Sequence, residues 1–137
     1  MRTAIDSNVF SSIWSREVTS PNLLEKLDKA RSEGTLLISP VVFAELHAYP
    51  GATGSFLQEF LRRTGVLVDY HLDLMVWSET AERFAAYSVR RRVVKGDSPR
   101  RLLTDFIVGA HALIQADRLL TLDTGLYKRN FPELQLL

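Results

Sequence analysis

Four acidic residues stand where apolar runs stop or helices begin: Asp6 in T-A-I-D-S-N-V, Glu45 in V-V-F-A-E-L-H-A-Y, Asp105 near the start of Leu102 to Ala116, and Asp123 in Asp123-Thr124-Gly125. Brought together, they cannot all stay ionised uncompensated, because like charges and burial both raise a carboxyl pKa. A cation must then sit among them. The chain has no cysteine, so a metal would be held by oxygen or imidazole, and an all-oxygen set favours Mg²⁺ or Mn²⁺, held partly through water. Such an ion polarises a phosphodiester and lowers the pKa of a bound water, which makes phosphodiester hydrolysis the matching reaction. Ser7, Asn8 and Thr121 are placed to orient the carboxylates by hydrogen bonds. Each acid also has a plainer reading. Asp-Ser-Asn after a strand suits a turn or helix cap, and an acid in a helix's first turn is favoured by the dipole alone. Convergence of the four decides between them.

The elements that must position these acids follow from the pattern around them. Thr3, Ala4 and Ile5 suit a buried strand that Asp6-Ser7-Asn8 ends, and Val9 to Trp14 reads as a short apolar helix. Ser20-Pro21 caps and starts a helix through Leu23, Leu24, Leu27 and Ala30, with Gly34 as its stop. After a strand at Thr35 to Ile38, Ser39-Pro40 launches the helix that carries Glu45 and that Pro50-Gly51 ends. Phe56, Leu57, Phe60 and Leu61 share a face of a helix from Ser55 to Arg63, Gly65 marks its exit, and Val66 to Tyr70 reads as a third strand. A long helix from Leu72 to about Val94 carries Leu74, Trp77, Ala81, Phe84, Ala85 and Ser88 along one stripe, and Lys95 to Pro99 is a loop. Leu102 to Ala116 is the most apolar helix, Leu119 to Leu122 a fourth strand, and Leu134 to Leu137 an edge strand after Phe131-Pro132.

Alternation of strands and helices predicts an α/β fold with a central, mainly parallel sheet covered by helices on both faces. Sites in such sheets lie outside the carboxyl ends of the strands. Asp6 and Asp123 fall immediately past strand ends, Glu45 on the helix leaving the second strand, and Asp105 on a helix entering from the same edge, so the four can meet.

A chain of 137 residues is expected to form one domain, residues 1–137. The absence of cysteine, of a signal-peptide core and of any membrane-length apolar run points to a soluble protein of the cytoplasm. With 17 basic and 16 acidic residues, bulk charge does not argue for a nucleic-acid partner. The distribution is more informative: Arg90, Arg91, Arg92, Lys95, Arg100 and Arg101 crowd into one region, as a solvated helix end or as a phosphate-binding patch. Because this region delivers the chain to Asp105, we expect Arg91, Arg92, Arg100 and Arg101 to contact the phosphate backbone of a phosphodiester substrate beside the acids. Lys128 and Arg129 suit either a phosphate contact or a solvated turn. His47, His71 and His111 are scattered, with His111 directed at the core, so zinc is not expected. Trp14 and Trp77 read as core or interface fillers, and Val9 to Trp14 with the Phe56, Leu57, Phe60, Leu61 face as exposed patches for association.

The stretches A-I-D-S-N-V-F, S-P-V-V-F-A-E-L, L-T-D-F-I-V-G-A-H-A-L and A-D-R-L-L-T-L-D-T-G-L-Y, followed by N-F-P-E-L, span nearly the whole chain in order. In them the chain resembles the PIN-domain ribonucleases and, among these, the VapC-type toxins of toxin-antitoxin pairs. The resemblance implies a PIN-like three-layer α/β/α sandwich and a Mg²⁺- or Mn²⁺-dependent endoribonuclease. Its acids would be Asp6, Glu45, Asp105 and Asp123, supported by Ser7, Asn8 and Thr121. It also implies a homodimer and a small VapB-type antitoxin whose tail covers the site. Three rivals stand beside it. A phosphatase with Asp-x-Asp after its first strand is disfavoured because Asn8 cannot act as a general acid. A receiver-like signalling module needs an acceptor after the third strand, where only Asp69 is available, inside the strand as read here. A PIN-like binding domain without catalysis is disfavoured because all four acids are present.

Overall fold

The computed structural model describes residues 1–16, 20–94 and 102–137, leaving aside the side chains of residues 20, 21 and 92–94. The Lys95 to Pro99 loop lies outside the described residues. In chain order the elements are β1 (Arg2–Ile5), α1 (Ser7–Trp14), α2 (Ser20–Glu33), β2 (Thr35–Ile38), α3 (Pro40–His47), α4 (Gly54–Thr64), β3 (Val66–Val68), α5 (Leu74–Val94), α6 (Leu103–Gln115), β4 (Arg118–Leu120) and α7 (Thr124–Asn130).

The strands form one sheet in the order β3-β2-β1-β4. Every pairing is parallel, with Thr3 opposite both Leu36 and Arg118, and Leu36 opposite Val66. A central parallel strand covered on both faces has no solvated side, and Thr3, Ala4 and Ile5 are accordingly all buried. The fold is thus the α/β sandwich expected, with the sheet parallel throughout.

Local chemistry sets the helix ends. The Ser39 hydroxyl accepts from the Val42 N–H at 3.2 Å ahead of Pro40, and Thr53 accepts from the Phe56 N–H at 3.1 Å. Gly65 ends α4 in the left-handed region at φ 70°, a conformation glycine adopts without penalty. The Ser39 cap takes the chain directly out of β2, and Gly65 takes it directly into β3.

Several expectations are corrected. Helix α1 begins at Ser7 rather than Val9, because Asp6 accepts from the Ser7 N–H and caps it. Strand β3 ends at Val68, so Asp69 lies just past the strand and not within it, and β4 runs Arg118–Leu120. The C-terminal segment is no full edge strand: Leu136 makes one parallel bridge to Leu119 after the turn in which the Leu134 N–H donates to the Phe131 carbonyl. The stripe expected on α5 is only partly inward. Leu74 and Trp77 are 80% and 49% exposed and Ala81 and Ala85 are also exposed, whereas Phe84 packs against the core and Ser88 is buried, together with Val76 and Thr80 from outside the stripe. The inward face also carries polar groups: Thr80 donates to the Val76 carbonyl one turn back in the same helix, and Arg83 finds its partners in the fold, reaching Glu133 and the Asn130 carbonyl while lying over the Phe131 ring. Nor are α1 and the α4 face exposed patches. They cover each other through Trp14, whose ring meets Phe10, Tyr49, Phe56 and Phe60, and of these aromatic rings Phe56 is the large one left exposed.

The core layer under the site is aromatic, with Phe106 of α6 packed on Phe84, Tyr87 and Phe131. Gly109 admits the fully buried Phe131 ring against the α6 backbone: a Cβ there would lie 2.5 Å from the ring. Gly109→Ala is therefore expected to destabilise the fold by about 1–3 kcal/mol through overpacking, despite alanine's better helix propensity, as read from the midpoint of urea unfolding.

Candidate active site

Asp6 ends the central strand and is 3% exposed. Its Oδ1 accepts from the Ser7 N–H at 2.8 Å. Its Oδ2 accepts from Thr121 Oγ1 at 2.9 Å, Tyr127 OH at 3.1 Å and Asn8 Nδ2 at 3.2 Å. Asn8 is itself anchored, since its Oδ1 accepts from the Leu122 N–H at 3.1 Å, and Thr121 Oγ1 accepts from the Asp123 N–H at 3.1 Å. The ends of β1 and β4 are thereby stitched together around one carboxylate. On the other side Ser7 Oγ donates to Glu45 Oε2 at 2.5 Å, which ties α3 to the same corner. A cleft of about 250 Å³ opens beside Ser7, Ser11 and Glu45.

Asp105 lies in the first turn of α6, half-buried. Its pKa is pushed up to about 7, first by burial and then by the charges of Asp6, Glu45 and Asp123. Burial also raises the Asp6 carboxyl, and Glu45 adds to this, against the lowering effect of the Thr121, Tyr127 and Ser7 donors. Asp123 is exposed at the rim and caps α7 through the Leu126 N–H at 3.3 Å. The charges of Asp6, Glu45 and Asp123 thus all bear on Asp105, and that of Glu45 bears on Asp6 as well. Among the described residues, however, no three acidic or imidazole groups converge closely enough to enclose a metal by themselves, and none of the four is in a salt bridge. A set of hard oxygen donors with unmatched charge and an incomplete protein shell fits an ion that keeps several waters.

The profile of the PIN domain matches residues 3–132. The chain belongs to the PIN-domain family. Members of this family are in general nucleases. Two solved structures share the fold. VapBC2 from Rickettsia felis, bound to a DNA fragment from its promoter, is 20% identical with a TM-score of 0.70, over 100% of this chain and 98% of that one. VapBC-1 from nontypeable Haemophilus influenzae is 16% identical with a TM-score of 0.65, over 100% and 97%. No curated protein is significantly similar in sequence.

Sequence reasoning missed Tyr127 of this PIN domain. It is 1% exposed, and burial, then the Asp6 and Asp105 charges, raise its pKa, so the phenol keeps its proton and stays a donor to Asp6. The available signal was a tyrosine one helical turn after the capping Asp123, on the inward face of α7, since a buried tyrosine hydroxyl needs a partner. Of the expected backbone-binding arginines, Arg91 is half-buried with its guanidinium 5.8 Å from the Tyr87 ring. The Arg92 side chain, Arg100 and Arg101 lie outside the described residues. His111 is buried, its Nε2 3.1 Å from the Asp69 carboxylate, and His47 sits 2.8 Å from the Phe43 carbonyl, both away from the acids.

The Asp105 shift has a stability consequence. Between about pH 4 and pH 7 the folded chain holds a proton there that the unfolded chain has released, so stability falls as pH rises through that window. In chelating buffer, Asp105→Asn is expected to melt above the parent protein, by a margin that grows from about pH 4 to pH 8 and shrinks toward pH 3. Circular dichroism melts across that range would check it.

Proposed function

We propose that this PIN domain is a Mg²⁺- or Mn²⁺-dependent endoribonuclease, the toxin of a VapBC-type pair. The observation that carries the reading is the unmatched charge at the carboxyl edge: burial and then the charges of Asp6, Glu45 and Asp123 raise the Asp105 pKa to about 7, and none of the four acids is in an ion pair among the described residues. Asp6, Asp105, Asp123 and Glu45 would hold the ion. When bound, it supplies Lewis-acid polarisation of the phosphodiester and acidifies water for attack.

The chain's own residues do the rest. Tyr127, Thr121 and Asn8 fix Asp6 Oδ2, so that its orientation does not depend on the cation, and Ser7 fixes Glu45 in the same way. Asp105, whose carboxyl is pushed up to about 7, would release its proton on holding a cation. Burial of Asp6 lowers the local dielectric, which strengthens every charge interaction around it.

The family assignment supports nuclease chemistry, and the VapBC neighbours support a VapB-type antitoxin as partner. RNA as substrate, a homodimer, a single domain over residues 1–137 and a cytoplasmic setting rest on the sequence resemblance and the composition. No helix among the described residues is long and apolar enough to cross a membrane. A receiver-like role is opposed by Asp69: it does lie past β3, but His111 and Gln115 engage its carboxylate. The catalytically silent alternative is opposed by the intact set of acids.

Single-stranded RNA is expected to be cut in Mg²⁺ or Mn²⁺ and not in excess EDTA. Asp6→Asn should reduce cleavage by at least about two orders of magnitude while the far-ultraviolet spectrum is unchanged. Mn²⁺ should also raise the melting temperature of the parent protein, and Asp105→Asn should remove that rise. Cleavage that persists in chelator would sink the metal-dependent reading. Mn²⁺-dependent stabilisation without cleavage of any RNA would leave a metal-binding PIN domain and no ribonuclease.

A further inference from the structure

We propose that the cleft between α5 and α7 is a phosphate-binding subsite that holds the RNA backbone next to the bond being cut. The inference rests on the ribonuclease reading for its ligand and on separate residues for its geometry. Tyr87, Arg90, Arg91, Leu102, Leu126, Arg129 and Asn130 enclose about 650 Å³ there. Three guanidinium groups therefore face one space.

Their charge is unspent. The acids on the neighbouring surface, Glu79 and Glu133, are both taken by Arg83. Among the described residues no carboxylate pairs with Arg90, Arg91 or Arg129. Arg90 is oriented by a 2.7 Å bond to Asn130 Oδ1, and Arg91 lies beside the Tyr87 ring. Among the described residues, Arg91 Nε is buried without a hydrogen-bond partner. An orphaned donor on a charged group costs free energy unless a ligand satisfies it. A half-buried guanidinium at Arg91, an oriented one at Arg90 and an exposed one at Arg129 suit the fork geometry of a phosphate oxygen pair.

The position selects a backbone phosphate over an acidic peptide. Helix α7 begins at the Asp123 cap, turns Tyr127 OH onto Asp6, and then presents Arg129 and Asn130 to the cleft. Asp123 and Arg129 are six residues apart, about 9 Å along a helix axis. A strand cut at the acids must leave a field that repels it, and this cleft offers the compensating charge at the distance of an adjacent phosphate rather than of the reacting one.

The test is the salt dependence of binding of a fluorescent single-stranded 12-nucleotide RNA in EDTA, read by anisotropy. Arg129→Gln and Arg91→Gln are each expected to weaken binding several-fold near 0.1 M salt, and each should lower the log–log salt slope by about 0.7. Arg63→Gln, whose guanidinium pairs with Glu59 on α4, should bind as the parent does. Arg129 is exposed and has no ion-pair partner among the described residues, so its variant is expected to keep the parent melting temperature. Unchanged affinity and slope in both cleft variants would overturn the subsite, while Mg²⁺-dependent cleavage by the parent protein would leave the ribonuclease reading standing. The converse, weakened binding in the variants with no cleavage by the parent, would keep the cleft and remove the enzyme. Loss of polyglutamate binding with RNA binding intact would overturn it in favour of a protein interface, and a parent protein that binds no RNA would overturn both.

Discussion

A carboxylate buried at the end of a central strand must be held by donors or matched by a cation, and Asp6 organises this molecule because it needs both. Its donors come from the corner of β1 and α1, from the end of β4 and from α7. Those segments lie more than a hundred residues apart in the chain, so the acid cannot be satisfied until the sheet is assembled. The hydrogen bonds lower its pKa but do not overcome burial, which leaves the carboxyl above its ordinary value. What the protein leaves uncompensated is the charge shared with Glu45, Asp105 and Asp123.

The two edges of the sheet show the contrast. At the amino edge, the buried Arg118 guanidinium donates to Thr3 Oγ1 and pairs with Glu33, so the charge there is neutralised within the chain. At the carboxyl edge the charges of Asp6, Glu45 and Asp123 bear on Asp105, and among the described residues none of the four acids is in an ion pair. A protein built only for stability would favour the first arrangement, because uncompensated buried charge is costly. Retaining the second is the signature of a site.

Helix α5 links this edge to the rest of the fold. Arg83 is bound by Glu79, Glu133 and the Asn130 carbonyl and covers Phe131, and these contacts with Glu133 first among them raise its pKa further. The clamp sets α5 against the end of α7, the helix that carries Tyr127. By occupying the nearby acids, it also leaves Arg90, Arg91 and Arg129 free of carboxylate partners among the described residues. Positive charge is thus kept apart from the negative edge by one short helix.

The sequence alone determined the alternation of elements, the parallel sheet and the four acids at its carboxyl edge, because these depend on local signals. Ser-Pro starts, Gly stops and short β-branched runs act within a few residues, and the order of strands and helices then restricts the topology. It also marked Ser7, Asn8 and Thr121, polar residues adjacent to the acids in the chain. Tyr127, the inward face of α5 and the mutual burial of α1 and α4 were decided only by tertiary structure. Periodicity counts Arg83 as a surface residue, yet the Asn130 carbonyl and Glu133, 50 positions away, hold it inward, while Leu74 and Trp77 are left outside. Tyr127 reads as one more apolar helix residue until the fold carries its hydroxyl to an acid 121 positions away. The C-terminal segment likewise has the composition of a strand, but the turn at Phe131 to Leu134 leaves length for a single bridge to Leu119. Where a side chain's partner is near in sequence its role can be read directly; where the partner is distant, only packing decides which face is buried and which polar group meets which.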